Sequence, residues 1–203
     1  MQTRERLVRA AYEVFLQQGF NAVGIDQVLQ KVGVTKTTFY NHFESKDDLV
    51  AAVLQWRNAQ WPRALKKVFE DAGETDAAER LVLLLRQRDE IWELPKGGTG
   101  LFTRAACEYP AGQGPVRQAI AEYRATLEKE LLSITRATGA ADPEALMREI
   151  KLVLAGVAGM NLVGDTERVN ETAVHVARQV IERHLVSAPK KKAAKAPPKK
   201  KKR

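Results

Sequence analysis

One cysteine, Cys107, stands in a chain of 203 residues, which excludes an internal disulfide framework and a thiolate-built zinc site. Histidine is almost as scarce. His175 and His184 share a helical face but are separated by about 13 Å of rise, too far for a local metal pair. There is no phosphate-cradling glycine loop and no pair of carboxylates on a short motif. With no chemistry to build from, no catalytic centre, cofactor or metal is expected. The N-terminus, Met1-Gln2-Thr3-Arg4-Glu5, is charged, and the longest uncharged apolar run, Leu152 to Gly164, falls short of the roughly 20 residues that span a bilayer. A cytoplasmic protein without membrane contact is expected. Alternation of strand type and internal repeats are also missing. Acidic residues are absent from Ser187 to Arg203, where eight lysines and one arginine stand among alanines and prolines. Those nine cations account for the net charge of +8, and the remainder carries 24 basic residues against 25 acidic ones. Any DNA site in the body therefore needs local geometry rather than bulk charge. The tail, of Lys/Ala/Pro low complexity, is expected to be disordered and to bind polyanions through counterion release.

Helical periodicity is what the chain has in abundance, and an all-α fold of about nine helices is expected. A first helix over about Thr3 to Gln18 carries the stripe Leu7, Ala11, Val14 and Phe15 and stops at Gly19. A short second helix follows Gly24 with Ile25, Val28, Leu29 and Val32 on one face, ending at Gly33. Thr35 is the expected N-cap of a third helix, with Val34 and Phe39 as a hydrophobic staple. Ser45, paired with Asp48, opens a long fourth helix reaching about Asp71, with Pro62 as a kink point. A fifth helix starts near Asp76 and ends before Pro95, and a shorter one covers about Leu101 to Tyr109. Cys107 falls in that apolar stretch and reads as a small core residue. Pro115 opens a helix whose stripe is Val116, Ile120, Tyr123, Leu127, Leu131 and Ile134. Asp142-Pro143 caps the next. A last helix spans about Thr166 to Leu185.

The second helix, the turn at Gly33 and the third helix form a compact helix-turn-helix. Phe39 and Phe43, one helical turn apart, turn inward, leaving Thr37 and Asn41 outward, flanked by Thr38 and Tyr40, with Lys36 in the first turn. Short hydroxyls, an amide, a phenol and a cation on one helix are the chemistry that a major-groove reader needs. A plain helical hairpin with a polar solvent face is the alternative, but such faces usually carry Glu and Lys.

The run Gly19-Phe20, Ile25-Asp26-Gln27-Val28 and Val32-Gly33-Val34-Thr35-Lys36-Thr37-Thr38-Phe39-Tyr40-Asn41-His42-Phe43-Glu44-Ser45-Lys46-Asp47-Asp48-Leu49 closely resembles the DNA-binding signature of the TetR family of transcriptional regulators. A looser likeness to one TetR subgroup covers Gly100 to Pro110 and Asp142 to Leu146. The resemblance implies that Lys36, Thr37 and Tyr40 face base edges, and that Thr35, Thr38, His42 and Lys46 bind phosphates. Val23-Gly24 departs from it, since many relatives place a phosphate-binding Thr or Ser there. Domains are expected at 1–46 for DNA binding, 47–186 for ligand binding and dimerisation, and 187–203 for the tail. The function implied is a repressor released from a palindromic double-stranded operator by a small effector. The alternative is a sequence-tolerant, nucleoid-associated DNA binder driven by the tail.

The helix after Asp142 is apolar almost all round from Leu152 to Met160, so it needs cover on two sides. One side is its own domain, and the other calls for a partner, unless it is the central helix of a monomer. The resemblance implies a homodimer in which this helix and the last pair with their symmetry mates, through Leu152, Ala155, Gly156 and Gly159 and through Val169, Ala173, Val176 and Val180. It further implies an effector site among the C-terminal helices. Trp56, Trp61, Trp92, Phe102, Tyr123 and Met160 are its candidate lining residues, or else ordinary core, and suggest an apolar or aromatic effector.

Overall fold

The computed structural model describes residues 2–92, 100–164 and 167–186. The basic tail lies outside these, so the expectation of its disorder has no counterpart here. The described residues form ten helices and no strand. The first four are α1 (Thr3–Gln18), α2 (Ile25–Val32), α3 (Lys36–Tyr40) and α4 (Lys46–Asp71). Then come α5 (Ala77–Arg86), α6 (Arg88–Trp92), α7 (Leu101–Glu108), α8 (Pro115–Ala137), α9 (Pro143–Leu162) and α10 (Val169–Val186). None is long and apolar enough to cross a membrane.

Capping residues open the helices where the sequence places them. The Thr35, Ser45, Asp76 and Asp142 side chains accept the N–H groups of Thr38, Asp48, Glu79 and Ala145. The tenth helix arises because the expected fifth one is broken at Gln87, which leaves helical geometry at φ −101° and ψ 24°. No glycine or proline marks that break. It turns Arg88 and Ile91 inward at the start of α6.

Two apolar cores result. The first joins α1, α2 and Phe39 and Phe43 to the front half of α4, to α7 and to the start of α8. The second joins the rear of α4, α5, Ile91, the rear of α8, α9 and α10. Leu127 of α8 packs against both. The helices α1 to α3 therefore share a core with part of the C-terminal half. Cys107 is a correction: it is exposed, because α7 buries Leu101, Phe102 and Ala105 and turns residue 107 to the opposite side.

Candidate nucleic-acid interface and ligand cavity

The construction of α3 begins behind it. Phe39 and Phe43 are buried with ring centroids 5.5 Å apart, in one core with Val28, while Val32 and Val34 pack against it half-buried. Gly33, at φ +74°, supplies the left-handed residue that ends α2, and the Arg6 guanidinium donates to the Val32 carbonyl at 2.8 Å. These contacts fix α3 against α1 and α2. Its outer surface is then Lys36, Thr37, Tyr40, Asn41 and His42, all exposed, with Tyr40 standing edge-on over Phe39 at 5.2 Å. Thr35 is exposed and Thr38 half-buried, and their hydroxyls lie 3.0 Å apart at the helix start. Lys46 is half-buried at the first position of α4. Eight expected contact residues thus gather around one short helix and the N-terminus after it.

Two neighbours of this face were not legible from residue spacing. Asp26 of α2 holds the Lys36 ammonium at 3.1 Å in an exposed ion pair. Arg4 of α1 lies over the Phe43 ring, 5.1 Å from its centroid. At the head of α2, Gly24 provides no side-chain cap, and Val23 is buried. No hydroxyl is available at that point.

Away from α3, a cavity of about 230 Å³ opens between α6, α7, α8 and α9. Phe102 and Tyr123 form one wall, stacked at 3.7 Å with planes 8° apart. The Trp92 indole N–H donates to the Tyr123 hydroxyl at 2.7 Å. Burial pushes the Tyr123 phenol up to about 12, so it is neutral and can donate its own proton. Leu127, Leu154, Ala155 and Ala158 complete the apolar lining.

Three of the six aromatic or soft residues expected at the site, Trp92, Phe102 and Tyr123, do line this cavity. Trp61 is fully buried behind it, with its ring 5.7 Å from Trp92 and 6.4 Å from Tyr123. Trp56 is elsewhere, against Tyr12 and under Arg9. Met160 is exposed and does not line the cavity. The wholly apolar lining suggested by the aromatics also changes, because Arg88, Arg124 and Lys151 lie in the wall. They come from three helices, and no local motif links them.

The cavity is tied to α1, the turn after it and the start of α4 through α7 and Tyr109. Phe102 and Thr103 face the cavity, and Arg104, next in the chain, donates to the Leu16 carbonyl at 3.2 Å at the end of α1. Glu108 accepts the Asn21 N–H, and a Cβ added at Gly19 would stand 2.7 Å from its carboxylate. Gly19, at φ +88°, therefore meets both a backbone and a space requirement. Beyond α7, the Tyr109 hydroxyl donates to Asp47 at 3.2 Å in the first turn of α4. Burial, followed by the neighbouring Asp47 carboxylate, raises the Tyr109 phenol well above its ordinary value.

The surface of α9 and α10 is divided by side. Leu146, Ile150, Leu154 and Val157 point into the second core. Leu152, Ala155, Gly156, Gly159, Met160, Leu162 and Val163 are exposed, as is Val176 on α10. A Cβ added at Gly156 or Gly159 would meet nothing within 4 Å. Val169 and Ala173, expected at a dimer interface, instead bury into the chain's own core because that face of α10 packs on α5 and α9. Val180 is half-buried against the same core.

The family model for bacterial regulatory proteins of the tetR family matches residues 7–53, from the stripe of α1 to the front of α4. A TetR-family transcriptional regulator from Streptomyces coelicolor has the same fold, with a TM-score of 0.77 and 25% identity over 90% of this chain and 95% of that one. Residues 7–53 thus match the DNA-binding domain of the tetR family, and the described residues take the fold of that Streptomyces regulator. The reduced form of Escherichia coli NemR superposes with a TM-score of 0.71 at 20% identity, covering 87% of this chain and 95% of that one, a likeness of fold. The transcriptional activator FasR of Mycolicibacterium smegmatis is 46% identical over 52 residues, covering 26% of this chain and 24% of that protein. The first curated relatives are thus matched over a quarter to two fifths of their length.

Proposed function

We propose that this protein is a DNA-binding transcriptional repressor of the TetR family, a homodimer released from a palindromic operator by a small effector. The observation that carries the reading is the surface of α3. Its outward side chains are Lys36, Thr37, Tyr40 and Asn41, while paired phenylalanines lock the helix from behind. Thr37, Tyr40, Asn41 and Lys36 read base edges. Thr35, Thr38, His42 and Lys46 hold phosphates and set the register, aided by the positive N-terminal end of α4. Residues 1–46 form the reading unit, residues 47–186 sense and dimerise, and residues 187–203 add affinity that is blind to sequence.

The exposed apolar side of α9 supports dimerisation. Leu152, Gly156 and Gly159 form a stripe at helical spacing, with Val176 of α10 also exposed, and the glycines leave room for a second backbone. An effector with an apolar or aromatic body occupies the cavity beside Trp92, Phe102 and Tyr123. Displacement of α7 by that effector pulls on the Arg104 and Glu108 contacts to α1 and the turn after it, and so tilts the reading unit.

Selection from a pool of random duplexes tests the reading. One palindrome should be enriched, with half-sites whose centres lie roughly one helical turn, about 34–36 Å, apart. Tight binding with no enriched sequence would overturn it, and would favour a sequence-tolerant binder driven by the nine-cation tail.

A further inference from the structure

Among the described residues, one buried charge in the cavity wall is only weakly answered. Arg88 is 6% exposed and lines the cavity, and its Nε is buried without a hydrogen-bond acceptor. Its carboxylate neighbour, Asp89, reaches it only at 3.4 Å and is itself mostly in solvent. Burial lowers the Arg88 pKa, yet a guanidinium at this depth keeps its proton. A desolvated cation with a free donor is a costly arrangement in an apolar wall unless something else supplies the acceptor. The two other cations of the wall differ. Lys151 is bonded to Glu128, whose carboxyl is held below its ordinary range chiefly by that bond and to a smaller degree by Arg124. Glu128 answers Lys151 and is only shared with Arg124, whereas Arg88 combines burial with an Nε that has no acceptor.

We infer that the cavity takes a small organic monoanion, a carboxylate on an aromatic or alkyl body, with the carboxylate accepting from Arg88. The inference rests on the reading of this cavity as an effector site and adds the chemical class of the effector. The aromatic wall of Phe102 and Tyr123 takes the body. The Tyr123 hydroxyl already accepts from Trp92, so its proton is a second donor at the same cavity. Three cations, Arg88, Arg124 and Lys151, against the two carboxylates Asp89 and Glu128 leave one net positive charge, which matches one negative charge. A phosphate dianion would bring a second charge into an apolar cavity of about 230 Å³.

Calorimetric titration of the full chain tests this with two matched series, hexanoate, octanoate, benzoate and 3-phenylpropionate against their primary amides. At least one acid should bind, with its amide weaker by about 10- to 100-fold, the value of a charge-assisted hydrogen bond. Arg88→Met should remove that difference. Asp89→Asn removes the competing carboxylate from an exposed position and should tighten the acid a few-fold while leaving the amide unchanged. Equal binding of acids and amides would overturn the monoanion while leaving an effector cavity in place. Failure of both series to bind or to release DNA would overturn the effector reading with it. Should Arg88→Met fail to fold, Asp89→Asn decides alone, and unchanged acid affinity would overturn the inference.

Discussion

The helices α3 and α9 are built alike and expose opposite chemistry. Each buries one stripe in its own core: Phe39, with Phe43 just beyond, for α3, and Leu146, Ile150, Leu154 and Val157 for α9. Outward, α3 presents hydroxyls, an amide, a phenol and a cation, whereas α9 presents Leu152, Ala155 and two glycines. Neither outer face has the Glu/Lys character of a helix adapted only to water. The polar face can exchange its water for the donors and acceptors of base edges. The apolar face has nothing to exchange and gains only by covering itself with like surface. On the proposed reading, the same inside-out division yields a nucleic-acid reader at one end and a self-association surface at the other.

Substitution with charge breaks α9 in two separable ways. Val157→Glu buries an unpaired carboxylate in the second core and should cost several kcal/mol, enough to lose cooperative thermal unfolding. Gly159→Glu, where an added Cβ meets nothing, should leave the protomer folded and abolish the dimer in sedimentation. A well-folded wild-type monomer at micromolar concentration would contradict the assignment of that face. At the other end, Phe39→Ala should destabilise the reading unit by about 3–5 kcal/mol, measured by chemical denaturation, because it empties a fully buried position. The smallest effect belongs to Asp26→Asn. The pair with Lys36 is exposed and worth roughly 0.2–1 kcal/mol, so stability should barely change. Freed from its partner, Lys36 should bind DNA a few-fold more tightly, with a steeper salt dependence, in a fluorescence titration.

How much of this was legible in the sequence depends on whether the signal was local. N-caps at Thr35, Ser45 and Asp142 work within one turn and could be read from spacing, while at Asp76 only the helix start was read and the cap is seen in the structure. The stripe of α8 was equally plain, since its apolar positions alternate with charge. By contrast, α9 is apolar nearly all round, so periodicity gave no phase and could not say which side faces out. The inward turn of Val169 and Ala173 depends on α5 packing against α10, a long-range fact. The break at Gln87 has no glycine or proline to announce it. For the same reason the cavity's charges stayed hidden: Arg88, Arg124 and Lys151 belong to α6, α8 and α9 and meet only in the fold. Aromatic residues overstated the site, because Trp61 is core and Trp56 packs against α1.

The central claim, that α3 reads bases, is tested most directly by comparing Tyr40→Ala with the wild-type protein on the selected palindrome and on random duplex DNA at one salt concentration. Tyr40 is 57% exposed, so its removal should leave the melting temperature unchanged. Affinity for the palindrome should fall by on the order of 1–3 kcal/mol, while affinity for random DNA, held by sequence-blind phosphate contacts, should hardly move. The ratio of the two affinities should therefore shrink by about 10-fold or more. An unchanged ratio in a folded variant would contradict the claim, whether both affinities fall together or neither falls.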